Sequence, residues 1–217
     1  MEHKRIAQLL SLFYAHKLHV DEVCETPEEP SGAMMNLCRD IINCLRSTSV
    51  HELIEIIKVG HEAFEIGAAN IPQYSDLDMC VYRTPYLVLV SRQIDISYAQ
   101  MGYMLLTSPK KEGAYFKYGE NQAKTAAQIG LCHVTRGKIN ASYLGIAFCE
   151  LKKEEQKTIL PKLLLYVPIV QNFFVAGQNY ELINHYFSSL AESTQKRRIG
   201  NVRTLIQIVE KQLEDEL

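Results

Sequence analysis

The chain has 217 residues, 47 % hydrophobic and 22 % charged, with 23 Lys+Arg against 25 Asp+Glu and a formal net charge of −2. These proportions exclude a disordered, collagenous or coiled-coil rod protein and fit a globular protein of one or two domains. They also exclude polyanion binding by bulk basicity, and no stretch approaches the roughly 18 consecutive apolar residues of a membrane span.

Along the chain the charge is uneven. Residues 1–94 carry eight Lys/Arg and thirteen Asp/Glu, residues 95–150 six and four, and residues 151–217 nine and eight. Six cysteines (Cys24, Cys38, Cys44, Cys80, Cys132, Cys149) lie among apolar neighbours with no C-x-x-C pair. With no targeting segment behind Met1-Glu2-His3-Lys4-Arg5, they read as reduced thiols of a cytoplasmic protein that crosses no membrane.

Ile6, Leu9, Leu10 and Phe13 follow one helical face, and so do Met34, Leu37, Cys38, Ile41 and Leu45. Between them, Glu25-Thr26-Pro27-Glu28-Glu29-Pro30-Ser31-Gly32 reads as an exposed acidic loop. Ser49-Val50-His51-Glu52 is a capping-box pattern, and its helix is expected to continue through Leu53, Ile54, Ile57 and Phe64 toward Gly67. Asn70–Arg92, with Pro72, Pro85 and the β-prone runs Cys80-Val81-Tyr82 and Leu87-Val88-Leu89-Val90, reads as a connector with at most short strands. Asp95 or Ser97 then caps a helix carrying Ile96, Ala99, Tyr103 and Leu106, which ends at Ser108-Pro109-Lys110-Lys111-Glu112-Gly113.

The most distinctive run is Lys117 to Leu131. Ala123, Ala126 and Ala127 allow close helix approach, Asn121, Gln122, Lys124, Thr125 and Gln128 supply donors and acceptors, and Gly130 provides a left-handed stop. Cys132-His133-Val134-Thr135, the Arg136-Gly137-Lys138 turn and Ile139-Asn140-Ala141-Ser142 form a hairpin with a basic tip, and Ser142 caps the next helix.

Helix, loop, helix, basic-tipped hairpin, helix is the order of a winged helix-turn-helix. Residues 95–151, about a quarter of the chain, resemble winged-helix DNA-binding modules, in which a polar helix and Gly-Leu precede a wing and a "Ser/Thr-x-x-Gly-x-x-Phe" helix. Ser142, Gly145 and Phe148 match that last pattern. The resemblance implies that Asn121, Gln122 and Gln128 read adenine edges, that Lys124 reads guanine or binds phosphate, that Arg136 and Lys138 contact phosphates or the minor groove, and that Lys117 and Thr125 also belong to the DNA-binding set.

Farther on, Pro161 and Pro168 are expected to divide an apolar region into short helices ending near Gly177, followed by a helix over Leu182, Ile183, Tyr186, Phe187 and Leu190. In the last helix, Ile199, Val202, Ile206, Val209 and Leu213 alternate like a coiled-coil seam, serving as core or, in a homodimer, as its interface. Its start is a cationic cluster: Thr194, Gln195, Lys196, Arg197 and Arg198, with Arg203 beyond. Ser193-Thr194…Arg197-Arg198…Val202 is similar to a pattern of tandem winged-helix modules in restriction-modification, defence and mobile-element proteins, although Leu205 stands near where a tryptophan is expected. The alternative for Arg197 and Arg198 is pairing with Glu192 or the acidic N-terminal part.

For chemistry the sequence offers little. Glu150-Leu151-Lys152 and Glu155-Gln156-Lys157 resemble the Glu-x-Lys of metal-dependent nucleases but fall at or inside expected helices. His16 and His19 lack the further ligands of a zinc site, His51, His61, His133 and His185 are isolated, and no phosphate loop or nucleophile elbow occurs. No catalytic residue, metal or cofactor is therefore assigned.

The sequence thus predicts a mostly α protein: an acidic helical segment with connector (1–94), a winged-helix domain with a small β-wing (95–151), and a C-terminal helical region with a candidate second helix-turn-helix (152–217). The expected function is non-catalytic double-stranded DNA binding, as a regulator or as recognition partner of a restriction or defence system. The alternatives are a protein-interaction adaptor docking a partner through the acidic N-terminal helices, and a divergent metal-dependent nuclease.

Overall fold

In the computed structural model, which describes residues 2–30, 32–60, 62–91, 95–188 and 190–216, the chain is mostly helical (67 %), with one small three-stranded antiparallel sheet. In chain order the elements are α1 (Glu2–Tyr14), α2 (Ala33–Ser47), α3 (Val50–Gly60), α4 (Thr84–Val90), β1 (Ile96–Ser97), α5 (Tyr98–Leu105) and α6 (Glu112–Gln128). Then come β2 (Cys132–Thr135), β3 (Lys138–Ala141), α7 (Tyr143–Cys149), α8 (Lys153–Leu164), α9 (Pro168–Val175), α10 (Tyr180–Phe187) and α11 (Glu192–Asp215). The chain divides into two compact units: Met1–Leu18, Asp40–Pro72 and Lys153–Leu217 form the first, His19–Arg39 and Gln73–Lys152 the second. The partition read from sequence, with 1–94 as one segment, cuts the chain differently, because contacts gather residues distant in sequence.

The second unit is built around α5 and α6. Ser97 caps α5 in a reciprocal box with Gln100, while Asp95, at φ 64°, exchanges hydrogen bonds with the Asn140 side chain. Beyond a connection of six residues, α6 crosses α5 at van der Waals contact of the backbones: a Cβ on Gly102 would lie 2.0 Å from the Tyr115 carbonyl oxygen, and one on Gly119 2.0 Å from that of Tyr98. Gly130, at φ 83°, ends α6 in the left-handed stop that the sequence predicts.

The sheet has the order β1-β3-β2, with Ser97 opposite Lys138 and Thr135 opposite Lys138 on its other side. Arg136 and Gly137 form the two-residue β2–β3 turn, both with positive φ (47° and 78°), the signature of a type I′ hairpin. Ser142 accepts from the Gly145 amide and donates to the Gly130 carbonyl, and a Cβ on Gly145 would lie 2.0 Å from the Leu131 carbonyl. Phe148 completes the pattern, fully buried and stacked on Tyr82. The segment after α1 adds to this layer: Cys24 N donates to the Ala141 carbonyl, and Leu144 N to that of Val20.

Two β-prone runs are helical instead. Cys80-Val81-Tyr82 lies in a π-helical turn, Met79–Arg83, and Leu87–Val90 in α4, with Pro85 in its first turn. Short apolar runs do not separate strand from buried helix, and a proline at a helix start needs no amide partner.

In the first unit, α11 packs on α8, α3 and α9. Val202, Ile206 and Val209 of the seam-like stripe are fully buried, as is the neighbouring Leu205, so the middle of the stripe serves as core, while Ile199 and Leu213 at its ends are half-buried. The Ser49–Glu52 capping box forms, and the Glu216 carboxylate also accepts the Val50 amide at the start of α3. Helix α3 stops at Gly60 rather than near Gly67. Phe64 lies outside it, its amide and carbonyl both bonded to the Asn172 side chain, and His61 falls outside the described residues. Pro161 lies inside α8 rather than dividing it, whereas Pro168 begins α9.

Tyr180, the first residue of α10, hydrogen-bonds Glu210 near the C-terminal end of α11. Its ring also packs edge-on against Phe173, and α10 packs on α9. Among the described residues no single helix is long and apolar enough to cross a membrane.

This packing has two measurable consequences. Gly119→Ala should cost about 3 kcal/mol or more of stability in urea unfolding, since a backbone carbonyl cannot yield as a side chain can. Burial raises the Cys38 and Cys149 thiols to about 12, and those of Cys80 and Cys132 well above the ordinary range. An unfolded thiol ionises near about 8.5, so below that pH both states hold the proton, and above it only the unfolded state loses it. Stability should therefore fall from about pH 8.5 upward, by roughly 1 kcal/mol per pH unit for each fully buried thiol, and Cys80→Ala should remove one share of that slope.

Candidate nucleic-acid interface

The glycine crossing presents one side of α6 to the interior and the other to solvent. Tyr115, Gly119, Gln122, Ala123, Thr125 and Ala126 face inward. Lys117 and Lys124 are exposed, and Glu120, Asn121 and Gln128 are partly so.

Gln122 and Thr125, expected to face a partner, are corrected by this placement. Thr125 Oγ1 donates to the Gln73 carbonyl and accepts from its amide, both at 3.1 Å, while Gln122 is fully buried and neither of its amide atoms finds a hydrogen-bond partner among the described residues. Donor type, unlike apolar spacing, does not reveal which face of a helix a side chain lies on.

The exposed α6 residues and the wing meet around Tyr98. The Lys124 Nζ lies 5.9 Å from the centre of its ring, Phe116 packs edge-on against it with centroids 5.5 Å apart, and a methyl on Gly137 would sit 3.8 Å from Cε2. Lys117, Lys124, Arg136 and Lys138 thereby share one neighbourhood, with Asn121 on the same side of α6. Arg136 and Lys138 are exposed and make no ion pair among the described residues.

Glu120 lies between the two lysines of α6. Its carboxylate accepts from Lys117 at 2.7 Å and from Lys124 at 2.7 Å, and its side chain is only 15 % exposed. Burial pushes its pKa upward, but the hydrogen bonds and charges of the two lysines outweigh that and hold the carboxyl below the usual range. Glu120 was missed in the sequence, although its spacing of three from Lys117 and four to Lys124 is that of helical ion pairs.

The C-terminal cations belong to the first unit. Lys196 pairs with Glu192, Gln195 donates to the Leu190 carbonyl, Arg198 donates to the Ala68 carbonyl, and the Thr194 amide bonds Ala191. Arg197 and Arg203 are exposed. Of the suggested pairings for Arg197 and Arg198, the one with Glu192 is made by Lys196 instead.

The two Glu-x-Lys tripeptides fall in different units. Glu150 makes a two-pronged pair with Arg39 in the second unit, and Glu155 pairs with Arg46 in the first. Among the described residues no three His, Cys, Asp or Glu side chains are grouped so as to hold a metal ion. His133 Nδ1 bonds the Asp21 carbonyl, and His16 Nε2 that of Tyr166.

Comparisons of the chain with protein-family models, with curated proteins and with solved structures return no match.

Replacing Gln122 by Met should be neutral or stabilising by about 1 kcal/mol, because a buried amide without partners costs more than an apolar chain of similar length. Thr125→Val should destabilise by about 1 kcal/mol. Neither should alter the binding of any partner at the exposed face, and thermal unfolding together with duplex titration checks both statements.

Proposed function

We propose that this protein binds double-stranded DNA without catalysis, through a winged helix formed by α4, β1, α5, α6, β2 and β3. Three features support the reading. The order of α5, loop, α6 and the basic-tipped β2–β3 hairpin, followed by α7, fits the winged helix-turn-helix modules that residues 95–151 resemble, with α6 as the recognition helix. Asn121, Lys117 and Lys124 lie on its accessible side, suited to adenine edges, guanine edges or phosphates. Arg136 and Lys138 extend the same neighbourhood at the wing tip.

The observation that carries most weight is Arg136 itself. A left-handed backbone costs a residue with a Cβ about 1 kcal/mol, and the first position of a type I′ turn favours Asn, Asp or Gly. An exposed arginine with φ 47° therefore contributes little to the hairpin, and its side chain is the property that suits the position. Backbone contact by these cations supplies affinity, and the α6 edge supplies sequence choice.

A role as regulator, or as recognition partner of a restriction or defence system, rests on the resemblance of residues 193–203. The adaptor reading has its own observation: Tyr86 and Val90 on α4 are each 47 % exposed, one turn apart, as docking side chains would be.

Salt dependence separates these readings. A labelled duplex titrated at increasing salt should bind with log affinity falling linearly against log salt. Arg136→Ala and Lys138→Ala should each lessen the slope by roughly 0.9 for every phosphate left without its cation. Absence of duplex binding at low salt would overturn the proposal in favour of the adaptor.

A further inference from the structure

On the face assigned to DNA, one carboxylate is held between two of the cations. Lys117 and Lys124 converge on Glu120 from three residues before and four after, each at 2.7 Å, so the patch they make carries one net positive charge instead of two. The Glu120 side chain is largely withdrawn from solvent, and Lys124 is held further by the Tyr98 ring. Such a cluster is prearranged, since all three side chains stand on one helix and the carboxylate has little freedom to lose. A phosphate approaching α6 meets two ammonium groups already engaged and an anion between them.

We propose that Glu120 is a specificity-determining residue that restrains Lys117 and Lys124 from sequence-independent phosphate contact, so that α6 binds firmly only where base-edge contacts compensate for disturbing the cluster. This rests on the duplex-binding reading above. Repulsive elements of this kind lower affinity for wrong partners more than for right ones. The wing, whose Arg136 and Lys138 have no such carboxylate, supplies the sequence-independent share.

The test compares the wild-type protein with Glu120→Gln, which keeps shape and removes charge, on random-sequence duplexes over a range of salt. The variant should bind about fivefold more tightly at about 50 mM salt, with a salt slope steeper by about one, and should select a less restricted set of sequences from a random pool. The gain should vanish when Glu120→Gln is combined with Lys117→Ala and Lys124→Ala, an outcome that a merely structural role for Glu120 would not produce. Glu120→Ala serves as a second variant with the same expectation, and the melting temperature of each reports that it is folded. Equal affinity and equal slope for wild type and both variants would overturn this inference while leaving duplex binding intact. No duplex binding by any of the proteins would overturn both.

Discussion

A carbon atom added at Gly102 or at Gly119 would meet a backbone carbonyl oxygen at 2.0 Å, and the contact these glycines permit between α5 and α6 governs the geometry of the second unit. It sets the rotation of α6, and with it which polar side chains are buried and which are accessible. It also brings Tyr98 under the middle of α6, where the ring meets Lys124, Phe116 and the hairpin turn. Without that approach, Lys124 and the wing would be unrelated features of the sequence. A second close contact, Gly145 against the Leu131 carbonyl, seats α7 at the start of the hairpin, so the wing is anchored at its base by backbone packing.

The charge distribution changes meaning once the chain is folded. By sequence the first 94 residues are acidic and the remainder slightly basic. Each compact unit, however, has one more acid than base: thirteen Lys/Arg and fourteen Asp/Glu in the first, ten and eleven in the second. The acidic loop after α1 belongs to the same unit as the wing, where residues 20–24 bond to the chain around Ala141 and Leu144. Neither unit is basic in bulk, so any anion-binding role depends on local placement, and local placement is what the Tyr98 neighbourhood provides. The same logic gives Glu120 its interest, since one carboxylate weighs heavily among four cations.

Much of the fold was legible in the residues. The Ser49 box, the Ser97 and Ser142 caps, the Gly130 stop and the β2–β3 hairpin are local devices, each specified by a few neighbouring side chains and by backbone conformations that few residues adopt. Where structure departs from local pattern, the decisive partner is distant. Phe64 leaves the helical pattern because the Asn172 amide takes its backbone groups. The β-prone residues 80–82 and 87–90 are helical inside a packed core, where burial favours either conformation. The Tyr180–Glu210 hydrogen bond likewise joins residues thirty apart in the chain.

The candidate site divides the same way. The sequence by itself determined that a polar helix, a left-handed stop and a basic-tipped hairpin follow one another, because capping and turn chemistry act over three or four residues. It also contained the Lys117–Glu120–Lys124 spacing, which is a property of helical geometry alone. Only the tertiary structure decided that Gln122 and Thr125 turn inward while Lys124 meets Tyr98, since the rotation of α6 is set by its crossing with α5. Only it, too, divided the C-terminal cations and the wing between two units, because which segments share a core depends on long-range burial of apolar side chains and not on their order in the chain.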